Sequence, residues 1–290
     1  LRSRGLGDVY KRQVLQKYHF NFQKKFGQNF LIDTHVLERI IEAAGITKDD
    51  FVLEIGPGFG VLTAELCRRA EKVVAIELDD RLPPILAETL AEFKNVTIVQ
   101  GDAMVLDLPA LLEEHFAGMP VVVCANLPYY ITSPIIMRLL EGPLPIRSLT
   151  VMVQKEAAVR ITAAPGTREC GAISAAVWYY STPKLLFPVS RGSFLPAPAV
   201  DSAVIRLDLP QELPEDLPPR EDFFAVVRAG FGQRRKTMLN SLSAGLRWEK
   251  DATRALLTAA GIAENARAEQ VTLEQWKALT RAYFSMKKSR

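Results

Sequence analysis

Two periodicities alternate along the first half of the chain. From Val36 to Ala44 the apolar residues Val36, Leu37, Ile40, Ile41 and Ala44 recur at helical spacing. Asp33-Thr34 stands before them as a cap and Gly45 follows as a stop. Short apolar runs then predict strands at Phe51–Ile55, Val73–Glu77, Val96–Val99, Val121–Ala125 and Leu149–Val153. Helical patterns lie between them. Strands alternating with helices predict βαβ units and a largely parallel sheet, an α/β fold. Ser174–Tyr180 and Ala203–Leu209 also read as strands, with no ordinary helix between them, and predict antiparallel pairing at one edge.

The pattern changes after Leu209. Pro210 to Pro219 holds four prolines and three acidic residues, a linker by composition. Beyond it helical spacing covers Phe223–Phe231, Thr237–Ala244, Ala252–Ala260 and Leu273–Phe284, a small all-α domain. The predicted organisation is a sheet domain over 14–209, a linker over 210–220 and a helical domain over 221–290. Residues 1–13 show no periodicity and no apolar core of a signal sequence. They are set aside as a non-native or disordered segment.

Composition narrows the class. The chain has 290 residues, 48% hydrophobic, enough for a large and a small domain. No run of 18 apolar residues predicts a membrane span. Cys67, Cys124 and Cys170 and the three histidines are scattered without metal-ligand spacing, so no metal site is expected. Few cysteines suit a cytoplasmic setting. The net charge is only +3, but residues 221–290 carry 13 Lys and Arg against 7 Asp and Glu. A basic helical end predicts a polyanionic partner, a solvated helical face being the plainer alternative.

The chemistry collects where strands end. Gly56-Pro57-Gly58-Phe59-Gly60 follows the first strand of the sheet. A dinucleotide fingerprint needs G-x-G-x-x-G. Here the third glycine comes one place early, the tighter form of enzymes that use S-adenosylmethionine. Glu77 ends the next strand, where a carboxylate can accept ribose hydroxyls. Asp102 follows the third strand and can accept from an adenine amine. Asn126-Leu127-Pro128-Tyr129 follows the Val121 strand. An amide, a loop carbonyl and an aromatic ring there suit an exocyclic amine on a stacked base. The tetrapeptide is also an ordinary turn opener, and each acid alone a routine strand end. Their coincidence on one sheet edge favours a site.

Taken in order, Lys25–Leu31, Glu54–Gly58, Asn126–Ile131, Gln154–Glu156, Phe194–Ser202 and Phe231–Thr237 closely resemble the ribosomal RNA adenine N6,N6-dimethyltransferases, in particular the bacterial small-subunit type. The resemblance runs from about Tyr18 to Tyr283. It implies a Rossmann-like methyltransferase sheet with a smaller all-α C-terminal domain. It implies that S-adenosylmethionine is held by Asn29, Leu31, Gly56, Gly58, Glu77, Asp102 and Asn126. Asn126, Leu127, Pro128, Tyr129 and Phe194 would form the catalytic pocket, Tyr129 and Phe194 as aromatic walls. Phe194 has a plainer reading as core. Arg234-Arg235-Lys236, read as opening a helix, would bind RNA with Arg228, supported by Arg247, Lys250 and Arg254. The implied partner is small-subunit ribosomal RNA in an assembling 30S particle, met by a monomer away from any membrane. Two rivals remain: a large-subunit ribosomal RNA methyltransferase, and a non-catalytic assembly factor on the same fold. One departure is visible: Ser190-Arg191 stand where the family usually has two prolines.

Overall fold

A computed structural model describes residues 29–210, 219–233 and 235–288. The expectations for residues 1–13, for most of the linker and for Arg234 fall outside the described residues. The strands are β1 (Phe30–Leu31), β2 (Phe51–Ile55), β3 (Lys72–Glu77), β4 (Val96–Gln100), β5 (Val121–Asn126), β6 (Ile146–Gln154), β7 (Thr182–Val189), β8 (Phe194–Leu195) and β9 (Ser202–Asp208). The helices are α1 (Thr34–Ala44), α2 (Val61–Arg69), α3 (Pro83–Thr89), α4 (Leu108–Phe116), α5 (Thr132–Glu141), α6 (Lys155–Thr162), α7 (Ala172–Tyr180), α8 (Arg220–Phe231), α9 (Met238–Leu246), α10 (Lys250–Ala259) and α11 (Leu273–Lys288).

The chain divides into two compact units. One holds the described residues up to Ala158 together with Lys184–Asp208; the other holds Val159–Pro183 and the residues from Leu209 on.

The first unit is built on a sheet ordered β4-β3-β2-β5-β6-β9-β7 among the described residues. β2 pairs in parallel with both β3 and β5, and β6 pairs antiparallel with β9. The chain therefore steps outward from β2 to β3 and β4, then returns to place β5 on the other side of β2. Right-handed crossovers in opposite directions put helices on both faces. On one face α1 and α2 bury Ile40, Ile41 and Leu66 against Val52, Val73, Val122 and Cys124. On the other, Phe116 of α4 meets Phe51 of β2 with ring centroids 5.6 Å apart. The Val121 run is apolar throughout because both of its faces are covered.

Local signals explain the ends of elements. Asp33 accepts from His35 N and Val36 N and caps α1; Gly45 closes it in the left-handed region at φ 60°. Asp107 caps α4 through Ala110 N. β7 was not foreseen. Pro183 and Pro188 obscure its pattern, and they are tolerated because β7 lies at the sheet's edge.

The second unit corrects one expectation. Residues 174–180 are not a strand but most of helix α7, and they belong with the helical unit rather than with the sheet. The run is apolar on every side because Ile173–Val177, Tyr179 and Tyr180 are all buried, which removes the polar stripe that would mark a helix. Tyr179 and Tyr180 pack on Phe223 and Phe224 of α8, with Tyr179–Phe223 centroids 3.7 Å apart.

Candidate active site

The order of strands reverses between β2 and β5, and ligands bind in open α/β sheets outside the carboxyl ends of strands at such a point. A cavity opens there. Asn29, Leu31, Gly56, Gly58, Glu77, Asp102, Asn126, Leu127, Pro128 and Tyr129 all line it. Ten residues spread over about a hundred positions are thus brought to one place.

The glycine loop needs its glycines at all three positions, Gly60 having φ 80° and a Cβ site 3.1 Å from Leu86. Gly56 has φ 74°, and a Cβ there would lie 3.7 Å from Pro128. Gly58 has φ 60°, and its Cβ would fall 2.7 Å from the Phe30 ring. Phe30 in turn packs on Phe59 at 4.2 Å. The loop is therefore a bare backbone wall held under an aromatic lid.

Two buried acids stand behind this wall. Glu77 accepts from Asp79 N at 2.8 Å and from Gly58 N at 3.3 Å. Burial pushes its carboxyl up to about 7, and the bonds from Asp79 and Gly58 oppose the rise. Glu54, at 1% exposure, is pushed to about 8 by burial, with Thr63 pulling down and Glu77 pushing up. Its Oε2 has no hydrogen-bond partner among the described residues. Thr63 Oγ1 is also without a partner, so the carboxyl can turn to that hydroxyl or accept from a ligand in the cavity it lines. Asp102 uses one oxygen to accept from Met104 N at 2.8 Å, leaving the other for a ligand.

Each of the four residues of the tetrapeptide is anchored. Asn126 Nδ2 donates to the Asn29 carbonyl at 3.1 Å, which leaves Oδ1 to accept. Leu127 N donates to Met152 O, fixing the loop to β6. Pro128 O accepts from Ile131 N and Thr132 Oγ1, so the turn engages that carbonyl and not the one of Leu127. The Tyr129 hydroxyl bonds Ser202 Oγ at 2.7 Å.

Phe194 departs from expectation. It does not line this cavity; it is 3% exposed and packed in the core. Its backbone pairs with Leu31 in the short β1–β8 ladder, and that pairing turns the ring inward. The loop before it is tied without prolines: Ser190 Oγ accepts from Gly192 N and Asp201 Oδ1 from Arg191 N. The basic residues also differ from their reading. Arg235 and Lys236 lie in the turn between α8 and α9, not on a helix, and are exposed. Arg228 is exposed on α8. Arg254 is paired with Asp251 and Glu264, each at 2.8 Å, so its charge is offset.

Sequence reasoning missed Glu54, which lines the cavity, and Ser202, which bonds the Tyr129 hydroxyl. Glu54 and Ser202 stood inside motifs already singled out, but only their neighbours carried an assigned role.

A sheet of this order, with a glycine wall, strand-end acids and an Asn-Leu-Pro-Tyr turn at its switch point, defines a Rossmann-like methyltransferase. The sequence matches ribosomal RNA adenine dimethylases over residues 19–283, and the chain belongs to that family of S-adenosylmethionine-dependent enzymes. It is 48% identical to the ribosomal RNA small subunit methyltransferase A of Alkaliphilus oremlandii, covering 92% of this chain and 94% of the relative. Against the protein of the same name from Lachnoclostridium phytofermentans the identity is 49%, over 94% of this chain and 96% of the relative. Among solved structures, a dimethyladenosine transferase from Plasmodium falciparum superposes with TM-score 0.69 at 26% identity, over 86% of this chain and 95% of that one. The 23S rRNA methyltransferase ErmE gives 0.66 at 32% identity, over 88% and 99%.

Proposed function

We propose that this enzyme dimethylates the exocyclic amines of two adjacent adenosines near the 3′ end of 16S ribosomal RNA, in the cytoplasm, on an assembling 30S particle, as a monomer. The observation that carries the reading is Asn126 at the switch point: its nitrogen is engaged by Asn29, and its oxygen is left to accept beside the cofactor wall. The share of small-subunit enzymes among relatives near half identity supports the choice of RNA.

S-adenosylmethionine, when bound, supplies a sulfonium methyl. Glu54 fits its ammonium, Glu77 its ribose, Asp102 its adenine amine, and Gly56 and Gly58 admit it to bare backbone. Asn29 and the Leu31 backbone reach the methionine end. Adenosine's amine is a poor nucleophile because its lone pair is delocalised into the ring. In the first transfer Asn126 Oδ1 and the Leu127 carbonyl accept its two N–H groups and favour a pyramidal nitrogen; in the second, the one remaining N–H keeps one of these acceptors. Bound S-adenosylmethionine would give up its methyl with the sulfur leaving as a thioether, and the amine so methylated would shed its proton to water. The Tyr129 ring, fixed through Ser202, stacks on the base. Orientation supplies most of the acceleration. Arg228, Arg234, Arg235 and Lys236 hold RNA phosphates and position without reading sequence.

Methyl incorporation into purified small subunits and into large-subunit RNA tests the reading. Wild type is expected to label small subunits only. Asn126→Ala is expected to lower transfer by about three orders of magnitude, in the range for a lost transition-state acceptor, while S-adenosylhomocysteine still binds. Labelling of large-subunit RNA, or full activity in the variant, would refute it.

A further inference from the structure

Asp102 is carried on a short loop between β4 and the cap of α4, anchored by buried Ala103 and by Leu106 packed over Gly101. Val105 at its crest is 78% exposed. The loop folds on Asp102 itself: the carboxylate accepts from Met104 N at 2.8 Å, and the carbonyl accepts from Val105 N and Leu106 N at 2.8 and 2.9 Å. Two further carbonyls of the loop, those of Met104 and Leu106, both accept from one guanidinium, that of Arg138. Arg138 makes no ion pair among the described residues. Its charge is committed to two neutral carbonyls, a two-point grip that only a planar fork provides.

The helix bearing Arg138 is α5, which starts directly after Asn126–Ile131. Thr132 Oγ1 bonds Pro128 O at 3.3 Å, and Ile135 N bonds Ile131 O at 2.8 Å. Ile135, Ile136, Leu139 and Leu140 are buried, so α5 is a stiff arm. One end of the arm carries the Asn-Leu-Pro-Tyr turn and the other grips the Asp102 loop.

We propose that Arg138 is a positioning residue that clamps the Asp102 loop to α5, so that the adenine acceptor and the target-base turn are set by one rigid element. The proposal rests on the reading of Asp102 as acceptor of the cofactor's adenine amine. Without the clamp the loop opens, Asp102 loses its aim, and the loss falls on ligands bearing that amine.

Calorimetry on the full chain compares S-adenosylhomocysteine with S-inosylhomocysteine, which has a carbonyl oxygen in place of the amine. Arg138→Met is expected to weaken the first about tenfold and the second less than about twofold. Arg138→Lys should recover part of the loss. Arg138→Met combined with Asp102→Ala should bind no worse than Asp102→Ala alone. In the ligand-free protein, amides of residues 101–107 should exchange about tenfold faster in Arg138→Met, with the melting temperature nearly unchanged. Unchanged loop exchange, equal losses for both ligands, or multiplying losses in the double variant would overturn the proposal. If Asp102→Ala binds S-adenosylhomocysteine like wild type, the adenine reading of Asp102 falls, while faster exchange in Arg138→Met still upholds the clamp.

Discussion

Tyr129 and Ser202 lie 73 positions apart, yet their hydroxyls are 2.7 Å from each other. Ser202 is fully buried at the start of β9, so its hydroxyl must find a partner, and the partner it finds fixes the Tyr129 ring. Ser202→Ala should therefore lower the rate of methyl transfer about three- to tenfold by loosening that ring, with S-adenosylhomocysteine binding unchanged. A Tyr129→Phe/Ser202→Ala pair that is no slower than the worse single variant would confirm one shared interaction. Glu54 and Glu77 act differently. Burial raises both above the ordinary carboxylate range, to about 8 and about 7. The folded state then holds protons that the unfolded chain has already released, so stability falls as pH rises from the usual Glu range through the raised values. Glu54→Gln removes that proton linkage. Its stability relative to wild type should climb between pH 5 and pH 8, by at most about 1.4 kcal/mol per pH unit, read from melting temperatures. A gap that stays level across this range would show Glu54 to be ionised throughout.

At the scale of elements, packing distance decides more than propensity. Gly245 lies inside α9, where alanine would be intrinsically better by about 1 kcal/mol. Its hypothetical Cβ, however, falls 2.6 Å from Cα and Cβ of Ala229 on α8. The two helices cross at backbone contact, and a methyl group has nowhere to go. Gly245→Ala should destabilise the helical unit by about 1–3 kcal/mol despite its better propensity, read by thermal or urea unfolding. The same logic explains α7. Ile173, Val177, Trp178, Tyr179 and Tyr180 favour strands by type, but nearly every side chain is buried, and burial on all sides erases the periodicity that separates helix from strand.

For the whole molecule, charge is divided between the units more sharply than the net +3 suggests. The basic helical unit offers Arg228, Arg235 and Lys236 to solvent, while Arg254 and Lys287 are paired with acids. Binding of ribosomal RNA should therefore depend on salt through these exposed cations. Arg235→Ala/Lys236→Ala should weaken binding at low salt and reduce the slope of log K against log salt by about 1 per cation removed. An unchanged slope in a filter or fluorescence titration would place the phosphate contacts elsewhere. Cofactor binding, which belongs to the sheet unit, should not move.

The sheet was legible from sequence because parallel strands buried on both faces leave continuous apolar runs, and the ligand edge because its glycines, acids and amide each fall directly after such a run. These signals are local, and they survive without knowledge of any partner. What tertiary structure alone decided is everything whose cause lies far along the chain. The β1–β8 pairing turned Phe194 into the core, edge position made Pro183 and Pro188 compatible with a strand, and aromatic packing made residues 174–180 a helix. Ser202 and Arg138 gained their roles only when folding brought Tyr129 and the Asp102 loop within hydrogen-bond reach. A hydrogen bond depends on ångströms in space, and sequence separation carries no record of that distance.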